Sequence, residues 1–233
     1  MNIYFLVEGR RTERKVYPRW LSHLLPGLRQ VERFDAVTER NYFLFSGEGY
    51  PGLLRVHLPN AVEDVNKVGR YDYLVVCLDA DEATRDQRAA EVHSALANSG
   101  RTLKAAELRV VIQNRCIETW FLGNPRIVTR AAQSPILVSY LHFYDVTTQD
   151  PETMGVFPGF RTHATFHGAY LKEAFREKNL TYTKQYPGHV CDPAYLDQLM
   201  RRVQTRPTDL ASFQAFLDFC EELRGRMEQA CSQ

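Results

Sequence analysis

Apolar residues follow two rhythms along this chain, and the change from one to the other marks its elements. Residues 2–7, NIYFLV, are a continuous apolar run ending at Gly9, the pattern of a strand buried on both faces. In RRTERKVYPRWLSHLL, Val16, Trp20 and Leu24 recur at every fourth position against a polar opposite face. That spacing predicts a helix, with Thr12 as its N-cap and Pro18 interrupting its middle. The stretch 31–46 reads as one or two strands, YFLF at 42–45 being the clearer, and SGEGYPG at 46–52 is turn chemistry ahead of a helical segment to about residue 69. Residues 71–78, YDYLVVCL, give the strongest strand, which runs into Asp79-Ala80-Asp81-Glu82. A helix closed by Gly100 follows, then the strand ELRVVIQ at 107–113 and the short helix IETWFLG, stopped by Gly123, Asn124 and Pro125.

This alternation predicts an α/β fold: a mostly parallel, doubly wound, Rossmann-like sheet with helices on both faces. From residue 126 the rhythm becomes helical, in pieces at 126–143, 163–178, 192–205 and 208–230. Phe213, Phe216 and Phe219 fall at helical spacing and read as core. The expected organisation is a core over 1–125 and a mainly helical cap over 126–233 packed on it, with no repeat or linker between them.

A chain of 233 residues, 44% apolar and 12% aromatic, buries a sizeable core. Its net charge of +1 excludes a global polycationic surface, so any nucleic-acid contact must be local. Two clusters qualify: Arg10, Arg11, Arg14 and Lys15 after the first strand, and Arg201, Arg202 and Arg206, which read more simply as a solvated helix face. Five cysteines with no CxxC pair argue against a disulfide framework or a zinc ribbon and fit a reducing cytoplasm. No segment has the ~20 apolar residues of a membrane span, so no membrane is expected. The Gly-rich SGEGYPG lacks the GK[ST] ending of a nucleotide-binding loop.

The chemistry-bearing residues stand at strand ends. Glu8 follows the first strand, and Asp79 and Asp81 follow the strongest one, at the carboxyl edge where open parallel sheets place their ligands. Clustered carboxylates repel one another unless a cation neutralises them, and oxygen donors of this kind suit Mg²⁺ or Mn²⁺. Gly9, lacking a side chain, leaves room for a phosphate to approach the backbone. His163 and His167, four residues apart, read as a packing or surface pair without a third zinc ligand, and Arg161 is a further candidate phosphate contact.

Val7-Glu8-Gly9-Arg10-Arg11-Thr12-Glu13 and Leu78-Asp79-Ala80-Asp81-Glu82 resemble the two signatures of the Toprim fold: a glutamate after the first strand with a glycine behind it, and a DxD pair after a later strand. Together with Cys116-Ile117-Glu118-Thr119-Trp120-Phe121-Leu122 and Tyr182-Thr183-Lys184, the sequence is similar to the stand-alone, RloB-like Toprim nucleases of bacterial anti-phage defence systems. The resemblance implies metal-dependent phosphodiester hydrolysis. In that chemistry Asp79 and Asp81 hold an ion, Glu8 is a general base or bridges ions, Glu82 and Glu118 complete a second site, and Lys184 stabilises charge on phosphorus. Glu13 reads as a helix-face residue.

A topoisomerase would need a tyrosine on a further domain and a primase would need template and zinc modules; neither is expected here, so hydrolysis is the expected reaction. The expected partners are a DNA or RNA substrate, tRNA included, and an ATPase of the same defence system, with a homo-oligomer left open. The rival expectation is a Toprim-fold module that binds an ATPase or nucleic acid without cutting it.

Overall fold

The computed structural model describes residues 1–129 and 131–229. Cys231 and the final residue of the expected last helix lie outside the described residues. Five parallel strands, β1 (Asn2–Val7), β2 (Arg29–Val31), β3 (Asn41–Ser46), β4 (Tyr73–Asp79) and β5 (Glu107–Gln113), form one sheet in the order β2-β3-β1-β4-β5. The helices are α1 (Glu13–Leu24), α2 (Leu58–Val68), α3 (Arg85–Asn98), α4 (Ile117–Phe121), α5 (Pro135–Phe143), α6 (His163–Glu177), α7 (Pro193–Thr205) and α8 (Ala211–Gln229). The architecture is the expected Rossmann-like α/β sheet followed by a helical C-terminal part.

The chain divides into two compact units that interleave in sequence. One holds Met1–Leu78, Arg85–Ile112 and the segment from Ala215 on; the other holds Asp79–Thr84 and Gln113–Gln214. In the first, all six residues of β1 are buried and alternate between faces. Tyr4 meets Phe43 and Tyr71 at 5.1 and 5.6 Å between ring centroids, and its hydroxyl donates to Asp64 of α2 at 3.3 Å. Phe5 on the opposite face meets Tyr42 and Tyr17 of α1, and Tyr17 meets Phe216 of α8 at 5.6 Å. Helices therefore cover both faces of β1, and edge-to-face rings like these add about 0.5–1.5 kcal/mol each beyond the area they bury. Farther along α8, Phe219 packs on Tyr73 at 5.6 Å and Glu222 accepts from Arg109 at 3.2 Å.

The second unit is organised by polar groups as much as by its aromatic core. Arg202 is buried; it pairs with Asp209 at 2.8 Å and donates to the carbonyls of Val146, Gln149 and Gly123 at 2.6, 2.7 and 3.2 Å. Arg206 meets the same Asp209 at 3.2 Å. This corrects the reading of Arg201, Arg202 and Arg206 as one solvated face, because Arg202 is an internal tie.

Three local outcomes differ from the pattern-based reading. The helix expected over 126–143 begins only at Pro135: Ser134, held extended before the proline, caps it by accepting from Leu137 N–H at 3.4 Å. Thr12 stands at the N-cap of α1 but makes no side-chain cap bond, its φ and ψ being already helical. A π-helical turn, Leu53–His57, leads into α2, which Gly69 closes in the left-handed conformation.

Candidate functional site

In the first unit, Glu8 leaves β1 with its N–H donating to Cys77 of β4 at 2.9 Å. The loop after β3 folds back on it. Gly49 N–H donates to the Glu8 carbonyl at 3.0 Å, and Tyr50 N–H donates to Glu8 Oε1 at 3.2 Å. Glu48, in the left-handed region with φ 61°, forms an ion pair with Arg10. The space beside Gly9 belongs to the protein, because a Cβ there would collide with the carboxylate of Glu13. That overturns two expectations: Gly9 makes room for Glu13 and not for phosphate, and Glu13 is buried rather than a helix-face residue. Glu13 also raises the pKa of the Cys77 thiol, which burial chiefly pushes up to about 12, leaving it inert.

In the second unit, Asp79 closes β4, and a tight turn carries Asp81 with φ 51°. The turn is pinned to the loop after β5: Ala80 N–H donates to Gln113 O at 2.9 Å, Asp81 N–H to Arg115 O at 2.8 Å, and Arg115 donates back to Asp81 O at 3.2 Å. Arg115 is itself left-handed, with φ 68°. Asp81 and Arg115 are thus non-glycine residues held in a costly conformation just after β4 and β5, and such strain clusters at functional sites.

Residues 117–121 form α4, all of them buried, and Glu118 has no exposed surface. Its cap is Cys116, so the Glu118 carboxylate is not spent on the helix terminus. Instead Oε1 accepts from the Tyr182 hydroxyl at 2.8 Å and lies 3.7 Å from Lys184 Nζ. The other oxygen, Oε2, is buried with no hydrogen-bond partner. Burial first, then Glu118, then Asp79 push the pKa of the Cys116 thiol well up, so both carboxylates act electrostatically at one point. Two sequence elements separated by more than sixty residues, the IETWFL helix and the Tyr-x-Lys segment, converge here.

Glu82 is engaged by α6. Its oxygens accept from His163 N–H at 2.9 Å and contact His163 Nδ1 at 2.6 Å. Partial burial raises its pKa, but the two hydrogen bonds and the charge of His163 outweigh this and hold it below the usual carboxylate range. His167 is fully buried with Nδ1 2.8 Å from Thr119 Oγ1. Burial first, then the neighbouring His163, lower its pKa to about 3, so it is neutral at physiological pH. No local pattern signals the Glu82–His163 pair, whose members are 81 residues apart.

Among the described residues, no three His, Cys, Asp or Glu side chains stand close enough together to hold a metal ion. The donor chemistry of Asp79, Asp81 and Glu118 nevertheless fits a hard divalent cation, and Glu118 Oε2 is a buried carboxylate oxygen that such an ion would satisfy. Cys77, Cys116 and Cys220 are free thiols. No described helix is long and apolar enough to cross a membrane. Comparisons with protein-family models, with curated proteins and with solved structures found no match.

Proposed function

We propose that this chain is a Toprim-like, Mg²⁺- or Mn²⁺-dependent nuclease acting in the cytoplasm as the effector of an anti-phage defence system with an ATPase partner. The observation that carries the reading is Glu118: a carboxylate with no exposed surface, fixed through one oxygen by Tyr182 and Lys184 and unsatisfied at the other. A merely structural glutamate would find partners for both oxygens, since an unmatched buried acceptor costs about 1–3 kcal/mol.

Asp79, Asp81 and Glu118 would hold the ion. Bound there, it would neutralise the scissile phosphate and lower the pKa of the attacking water. Tyr182 keeps the Glu118 carboxylate from rotating. Lys184, 61% exposed at its side chain, would present its ammonium to a phosphate oxygen. The motif resemblance assigns Glu8 the role of proton acceptor.

The test is incubation of the protein with plasmid, single-stranded DNA and total tRNA in Mg²⁺, Mn²⁺ or EDTA. Metal-dependent cleavage of at least one substrate, lost by about 10²-fold or more in Glu8→Ala and Asp79→Ala, supports the reading. Intact substrates under every condition would reject it. They would favour the second reading, a non-cleaving module that binds an ATPase or nucleic acid, which draws its support from the absence of a ready three-ligand cluster among the described residues.

A further inference from the structure

Beside Glu8 the loop after β3 presents Tyr50, a residue 40% exposed. An exposed tyrosine on a Gly-rich loop is ordinarily mobile, yet this one is held on several sides. Its N–H donates to Glu8 Oε1 at 3.2 Å. Its hydroxyl donates to Glu91 of α3 at 3.2 Å. The guanidinium of Arg88 lies over one ring face, 4.0 Å from the centroid, and Arg88 is itself buried and bonded to the same Glu91 at 2.8 Å. A cation–π contact to a desolvated arginine is among the stronger of its kind. The ring is thus backed by a buried cation and pinned at its hydroxyl, with part of its surface left to solvent.

The same loop is tied to a basic cluster. Glu48, two residues before Tyr50, is ion-paired with Arg10, and Arg10, Arg11, Arg14 and Lys15 are all exposed. A rigid aromatic face beside a run of cations is the pairing that single-stranded nucleic acids use: the cations track phosphates and the ring stacks a base. Rigidity matters because a platform fixed in advance loses little conformational entropy when a base lands on it.

We propose that Tyr50 is a stacking platform for one unpaired nucleobase of single-stranded DNA or RNA, setting the strand next to Glu8. The proposal deepens the nuclease reading and rests on it for the identity of the ligand. It assigns the protein a single-stranded substrate, since a base inside a duplex offers no free face.

The experiment measures affinity in EDTA, where cleavage is suppressed, for short single-stranded DNA and RNA oligonucleotides, intact or carrying one abasic position at each place in turn. Wild type should lose about 5-fold or more at one abasic position. Tyr50→Ala should bind the intact strand about 5-fold or more weakly and become indifferent to that abasic position, while Tyr50→Phe should stay near wild type. Quenching of a 2-aminopurine placed there should vanish in Tyr50→Ala and persist in Tyr50→Phe. An abasic scan that is flat in wild type, or a Phe variant as weak as the Ala variant, would overturn the platform.

The outcomes separate the two readings. Cleavage with a flat abasic scan removes the platform alone, binding with base dependence but no cleavage in metal removes the nuclease alone, and no binding of either strand removes both.

Discussion

Two buried glutamates in the second unit, Glu118 and Glu152, receive opposite treatment. Glu152 is saturated: its oxygens accept from Ser212 N–H at 3.0 and 3.2 Å, from the Ser212 hydroxyl and from Asn114 Nδ2 at 3.4 Å. Those contacts tie the start of α8 to the loop after β5. Glu118, more deeply buried, is bonded at one oxygen and bare at the other. Burying a carboxylate is costly in either place. In the first case the cost is met by donors that organise the fold, and in the second it is left partly unmet.

The sharpest break of this comparison is on stability. Glu152→Ala should destabilise the protein by about 3–5 kcal/mol in urea unfolding, because Ser212 and Asn114 lose their acceptor together. A loss below about 1 kcal/mol would show that Glu152 is not the tie described. Glu118→Gln should change stability by no more than ~1 kcal/mol, since the amide oxygen still accepts from Tyr182. The same variant should lower metal-dependent cleavage by about 10²-fold, near 2.7 kcal/mol of barrier, and abolish the Mn²⁺-induced rise in Tm. Unchanged cleavage and an unchanged Tm response would place Glu118 beside Glu152 as a structural group.

A third buried polar group, His167, supplies the smallest effect. Its pKa is about 3 folded against an ordinary 6.5, so the unfolded chain binds more protons between those values and stability falls as pH drops below 6.5. From pH 7 to pH 5.5 the loss is about 1.2 kcal/mol from this group. His167→Gln should flatten that part of the stability curve; an identical slope in both proteins would mean that His167 takes up a proton without cost.

The strands and most helices were legible because their causes are local. NIYFLV, YDYLVVCL and ELRVVIQ are apolar runs whose period needs no tertiary knowledge, whereas β2, three residues reading Arg-Gln-Val, carries no alternation to detect. Proline chemistry at Ser134-Pro135 was readable but was outweighed by the helical look of the flanking residues. In the candidate site, Glu8, Asp79 and Asp81 were visible as strand-end carboxylates. The Glu118 contact with Tyr182 and Lys184 was foreshadowed only by motif resemblance, since nothing in either segment names the other. Arg202 was misread for a related reason: a basic run on a helix looks solvated unless the carbonyls of Gly123, Val146 and Gln149 are known to converge on it. Glu82–His163 and Glu152–Ser212 lie beyond sequence reading altogether, because pairing across 81 and 60 residues leaves no local periodicity.

The aromatic contacts of α8 with Tyr17 and Tyr73 impose an order on synthesis. Tyr17 and Tyr73 leave the ribosome early, but the rings that cover them, Phe216 and Phe219, are made roughly two hundred and one hundred and fifty residues later. At about 5–20 residues per second Tyr17 on α1 and Tyr73 on β4 wait about seven seconds or more for the rings that cover them. During that interval the nascent sheet offers apolar surface to chaperones, and the unit that carries Glu8 cannot close. A chain halted before residue 216 would carry every candidate catalytic residue and still lack a finished first unit.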